Sequence, residues 1–139
     1  MILVTGGAYA GKEAFIKKTW PEGLGNIREG SDAAFSDLCE ATCLLHFESW
    51  IRRAALWQKE AGVPYTESAL AEYLCENVDD FLGANPDIII ELREMGCGIV
   101  PLDENDRLVR EMVGRVGCHL AERADEVWKV TVGLAQRIK

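Results

Sequence analysis

Directly behind the short apolar run Ile2 to Thr5 stands the string Gly6-Gly7-Ala8-Tyr9-Ala10-Gly11-Lys12. It fits the pattern G-x-x-x-x-G-K, and it lies where that pattern has to lie, after a strand and at the opening of a helix. A β-branched and aliphatic run broken by paired glycines reads as a buried strand entering a tight turn, with a helix from about Gly11 to Thr19. Glycines let backbone N–H groups turn inward on phosphate oxygens. The helix N-terminus adds partial positive charge, and a lysine reaches the terminal phosphates. Gly6, Gly7, Ala8, Tyr9, Ala10, Gly11, Lys12 and Glu13 are therefore the candidate nucleotide-binding residues of a P-loop, and Lys12 is the candidate stabiliser of a transferred phosphoryl group. The plain alternative is a tight turn carrying an incidental lysine.

Position 13 departs from the pattern. A Ser or Thr hydroxyl there binds magnesium, whereas this chain has Glu13. Its carboxylate can neutralise Lys12, repel an anionic ligand, or fold back as a magnesium ligand, the last being the least favoured. No metal-ligating set emerges from the sequence.

The remaining elements follow from periodicity. Trp20-Pro21 and the glycines at 23, 25 and 30 make a loop, and Ser31 or Asp32 can cap a helix running to about Glu40. Thr42 to Phe47 reads as the next buried strand. Glu48 to Ala61 carries one apolar helical face and ends at Gly62-Val63-Pro64, and a second amphipathic helix runs from Glu67 to about Leu82. Ile88-Ile89-Ile90 marks a central parallel strand covered on both faces. Leu108, Val109, Met112, Val113, Val116 and Leu120 mark a long amphipathic helix; Val127 to Val132 is the last long strand and turns at Gly133 into Leu134 to Ile138. The alternation predicts one α/β domain over residues 1–139, a mostly parallel sheet flanked by helices.

With 139 residues, 48% of them hydrophobic, the chain suits one core. A formal charge of −8 argues against nucleic acid and against an anionic membrane as partners, since both require clustered Lys and Arg. The Ile2-Leu3-Val4 run has no basic residues ahead of it and stops at the glycines, so it reads as core rather than as a leader. Cys39, Cys43, Cys75, Cys97 and Cys118 form no C-x-x-C pair and no zinc spacing, which suits a reducing cytoplasm.

Two further blocks bring a family into view: Glu94-Met95-Gly96-Cys97-Gly98-Ile99-Val100-Pro101, and Gly114-Arg115-Val116 with Ala124-Asp125-Glu126-Val127. With the Met1 to Ala8 run they resemble the bifunctional adenosylcobinamide kinase/adenosylcobinamide-phosphate guanylyltransferases of cobalamin biosynthesis, a likeness carried by the two ends of the chain. The resemblance implies a RecA-like P-loop fold with a C-terminal antiparallel hairpin, a homotrimer, and GTP or ATP with a corrinoid as ligands. Three positions depart from that family's pattern. Gly11-Lys12 is followed by Glu13 and not Ser. The strand Leu44-Leu45 ends in His46-Phe47 where the family has an acidic residue, and Gly114-Arg115 lacks the following Asn-Gln pair. The stretch between the P-loop helix and Leu44 is also short, and in the family that stretch carries the histidine that takes GMP covalently. Guanylyl transfer, which needs a nucleophile, is therefore expected to be lost.

Glu94 follows the Ile-rich strand at its C-terminal end, where open α/β sheets bind ligands, and is the second candidate catalytic residue, activating an acceptor hydroxyl or holding metal. A carboxylate capping loop N–H groups is its plain alternative. Arg107, Arg110 and Arg115 are candidate phosphate contacts or a solvated face. His46 and His119 read as hydrogen-bonded structural histidines, and the four tryptophans as core or subunit-interface residues.

Overall fold

The computed structural model describes residues 1–62 and 65–139. The chain runs β1 (Ile2–Gly6), α1 (Lys12–Thr19), a 3₁₀ turn (Pro21–Gly23), β2 (Ile27–Glu29), α2 (Phe35–Glu40), β3 (Cys43–Leu45) and α3 (Phe47–Glu60). It continues through α4 (Glu67–Ala84), β4 (Ile89–Arg93), α5 (Glu104–Arg123), β5 (Glu126–Thr131) and β6 (Leu134–Arg137). The six strands form one sheet in the order β2-β3-β4-β1-β5-β6, parallel throughout except for the antiparallel β5–β6 hairpin. This is the expected α/β architecture with its terminal hairpin, consistent with a RecA-like P-loop fold.

Alternation along the central strands divides the core in two. Leu3, Ile90, Leu92 and Val127 face α3, α4 and α5, whereas Val4, Cys43, Leu45, Ile89 and Val130 face Ile16 of α1. Both faces of β1 and β4 are thus covered, which explains their nearly continuous apolar sequences. On α5 the six periodic positions from Leu108 to Leu120 are all buried. Asp103 caps this helix by accepting the Asp106 N–H at 3.0 Å, and Thr66 caps α4 by accepting the Ala69 N–H at 3.1 Å.

Local differences from the sequence reading have identifiable causes. Ile27–Glu29 forms a parallel edge strand, though its exposed residues carry no apolar pattern. Neither Ser31 nor Asp32 caps α2, which starts at Phe35 with the Asp37 carboxylate accepting the Ala34 N–H at 2.8 Å. β3 stops at Leu45 because His46 turns into the left-handed region at φ 53, making Phe47 the first residue of α3. The close approach of Gly30, where a side chain would meet the His46 carbonyl at 2.2 Å, holds that corner. Of the stop signal after α3, Gly62 lies past the helix end at φ 70, and Val63 and Pro64 lie outside the described residues. Trp50 packs in the core, Trp20 and Trp128 cluster with Phe15, and Trp57 is exposed. Among the described residues no helix is long and apolar enough to cross a membrane.

Candidate functional site

Parallel pairing brings the C-terminal ends of β3, β4, β1 and β5 to one edge, and the glycine loop sits in the middle of it. At Gly6, φ is 151 and any Cβ would lie 2.3 Å from the Val130 carbonyl oxygen, so the chain leaves β1 there only as glycine. The loop passes through a fully exposed Tyr9 at φ 56 and enters α1 at Gly11. Among the described residues no side chain caps α1, so its first-turn N–H groups have no side-chain acceptor. From the other side, Gly133 in the β5–β6 turn donates its N–H to the Ala10 carbonyl at 2.8 Å, so the terminal hairpin braces the loop.

Lys12 does not point into solvent. Its Nζ lies 3.0 Å from Glu91 Oε1 and donates to the Gly7 carbonyl at 2.9 Å, with Lys12 only 5% and Glu91 only 2% exposed. Glu91 sits on β4 beside Val4 of β1 and faces the α1 side, as Ile89 does. Sequence reasoning passed over it because it closes the run Ile88-Ile89-Ile90 and looks like the edge of a hydrophobic strand. Its signal was a carboxylate in a strand predicted to be buried, a charge that has to find a partner. Glu13, by contrast, neither neutralises Lys12 nor enters the cradle: its carboxylate pairs with Lys17 at 2.5 Å, one turn along the exposed face of α1. This i,i+4 pairing raises the Lys17 pKa, chiefly through the hydrogen bond that Lys17 donates to Glu13.

Next to this pair stand His46 and Glu48. The His46 N–H donates to Glu91 Oε2 at 2.6 Å, and its Nδ1 lies 3.4 Å from Glu48 Oε1 and 3.5 Å from Glu91 Oε2. Glu48, buried in the first turn of α3, accepts the Arg93 N–H at 3.1 Å and faces the half-exposed Arg93 guanidinium at 3.5 Å. The neighbourhood is strongly acidic. Burial first, then the charges of Glu91, Glu29 and Glu13, pushes the Cys43 thiol up to about 12. Burial likewise raises the Glu29 carboxyl.

Glu94 lies on the opposite side of the sheet from Lys12 and Glu91. Its N–H donates to the Gly6 carbonyl at 3.0 Å, while its carboxylate meets Lys129 Nζ at 3.2 Å and accepts from Thr5 Oγ1 at 3.5 Å. It borders an apolar cavity of about 360 Å³ between the sheet and α5, opened by the side-chain-free positions Gly114 and Gly117. The two catalytic candidates therefore share an edge but not a face. The arginines serve the loop between β4 and α5: Arg107 donates to the Pro101 carbonyl at 3.1 Å and Arg110 to that of Ile99 at 3.2 Å, whereas Arg115 pairs with Glu111 on its own helix at 2.8 Å. His119 bonds Asp79 at 2.9 Å.

Residues 39–138 match the family described as cobinamide kinase / cobinamide phosphate guanyltransferase, CobU. The chain belongs to this family. Two relatives named bifunctional adenosylcobalamin biosynthesis protein CobU, from Salmonella typhimurium (strain LT2) and Escherichia coli (strain K12), are 42% and 40% identical to it. Each match covers 52 residues, 37% of this chain and 29% of the relative. The family match takes in β3, the His46 corner, Glu91, Glu94 and the hairpin, and the glycine loop precedes it.

A magnesium ion of the P-loop kind does not fit the residues present. No hydroxyl stands at position 13, and Glu13 is engaged outside the cradle. The buried carboxylates nearest the loop are grouped around an imidazole, a poor magnesium ligand.

Proposed function

We propose that this CobU-family chain binds GTP or ATP at the loop from Gly6 to Lys12 and transfers a phosphoryl group to a hydroxyl of a corrinoid precursor, with guanylyl transfer lost. The observation that carries this reading is the uncapped start of α1 at the sheet edge, with a buried lysine tethered to Glu91 and to the Gly7 carbonyl. An arriving phosphate offers Lys12 a stronger partner than a carbonyl and draws Nζ toward the terminal phosphates. Glu94 accepts the proton of the acceptor hydroxyl, and the apolar cavity beside it receives a hydrophobic part of the acceptor. Loss of guanylyl transfer is supported by the setting of the histidines: His119 is bonded to Asp79 of α4, and the half-exposed His46 is flanked by two carboxylates that repel an incoming phosphate.

A second reading, a nucleotide- or corrinoid-binding homologue without catalysis, is favoured by the turned-out Glu13 and the Lys12–Glu91 closure. Calorimetric titration with GTP and ATP, with and without magnesium, separates the cases. Binding of either supports the site; phosphorylation of adenosylcobinamide supports the kinase. Binding of neither nucleotide ends both nucleotide readings and leaves a structural homotrimer standing. Acid-labile label on His46 or His119 after incubation with labelled GTP would overturn the loss of guanylyl transfer.

A further inference from the structure

We propose that His46, Glu48 and Glu91 bind a borderline transition-metal dication, zinc being the reference ion, in place of the magnesium that a P-loop of standard sequence would take. One ligand atom from each lies within 4.8 Å of the others. Two ligands about 2.1 Å from a zinc ion at the tetrahedral angle are about 3.4 Å apart. His46 Nδ1 stands at 3.4 Å from Glu48 Oε1 and 3.5 Å from Glu91 Oε2, so these two edges of the polyhedron already have coordination length.

The groups around the three ligands orient them as a metal site requires. The Arg93 N–H holds the second oxygen of Glu48 at 3.1 Å, and Lys12 holds the second oxygen of Glu91 at 3.0 Å, leaving one oxygen of each toward His46. Lys12 thus need not move for the ion to enter. Only the Arg93 guanidinium, 3.5 Å from Glu48 Oε1 and half-exposed, has to swing outward. Both carboxylates are buried and His46 is half-exposed, which provides an entry path and an open fourth position for water. Imidazole nitrogen with two carboxylates suits zinc, cobalt or manganese, and zinc far better than magnesium. Without an ion, the same three groups are an imidazole held between two acids and nothing more.

The test uses the full chain without nucleotide, so its result is independent of the phosphate site. Cys97→Ser and Cys118→Ser remove the exposed thiols that would compete for zinc. Calorimetry with Zn²⁺ and Mg²⁺ should show one zinc equivalent, held about two orders of magnitude tighter than magnesium. His46→Asn keeps a residue that tolerates the left-handed backbone at φ 53 and should weaken zinc at least about tenfold. His46 and His119 are the only histidines, so the imidazole resonances of the unsubstituted site give a second readout: zinc shifts His46 and leaves His119 in place. Absence of stoichiometric zinc binding, equal affinity for magnesium, an unchanged affinity in His46→Asn, or a shift of His119 alone would each overturn the proposal.

Discussion

Breaking the Lys12–Glu91 pair is the sharpest test of how this sheet edge is held together. At 3.0 Å and an effective dielectric of about 20 the two charges attract by about 5 kcal/mol. Most of that is offset by taking both groups out of water. Removing one partner is a different matter, because the other charge stays where solvent does not reach, with Glu91 only 2% exposed. Lys12→Met and Glu91→Gln should each destabilise by about 3 kcal/mol. For a chain of this length that is a fall in Tm of about 10 °C. The double variant has no orphaned charge and should cost about as much as one single variant, a coupling of about 2 to 3 kcal/mol in a double-mutant cycle. Urea unfolding of the four proteins measures it. Additive single effects, or single effects below about 1 kcal/mol, would mean that the pair opens to water and that Lys12 is already free in the resting protein.

Three further outcomes are expected. The hairpin turn places Val132 at φ 46 and Gly133 at φ 80, both positive as a two-residue type I′ loop requires, so Val132→Asn should stabilise by about 0.5 to 1 kcal/mol in thermal unfolding; a neutral or lower Tm would refute the strain. Cys43, buried and with its thiol pushed up to about 12, should resist iodoacetamide at pH 8 while the exposed Cys97 and Cys118 are alkylated, and mass spectrometry showing equal labelling would contradict this. Burial pulls the Asp79 carboxyl upward, but hydrogen bonds from Arg123 and His119 outweigh it and leave the group below its ordinary 3.8. A carboxylate depressed in the fold adds stability that is present above the unfolded value and lost as pH falls through the folded one. Asp79→Asn should therefore flatten the decline of stability below about pH 4, and an unchanged slope would refute the assignment.

The turn from Gly6 to Lys12 between β1 and α1 was legible because its signals are local: paired glycines and a strand in front are contiguous in the chain. The six buried positions of α5 were legible for the same reason, since helical period alone selects them. Glu94 stands out in the sequence only through the string in which it sits, and its face of the sheet is not readable there. Ile27–Glu29 was missed because an exposed three-residue edge strand takes its conformation from pairing with Cys43–Leu45 and not from its own residues.

What the sequence alone determined, then, is the alternation of strands and helices, the terminal hairpin and the glycine turn between β1 and α1, each set by neighbours a few residues apart. Only the tertiary structure decided which charges meet. Glu91 stands 79 residues from Lys12, and the parallel register that sets Val4 beside Glu91 makes it the lysine's partner, leaving Glu13 to Lys17. The same register brings Glu91 to the His46 corner and sends Glu94 to the other face. Long-range pairing of strands fixes such contacts, and no local pattern encodes it.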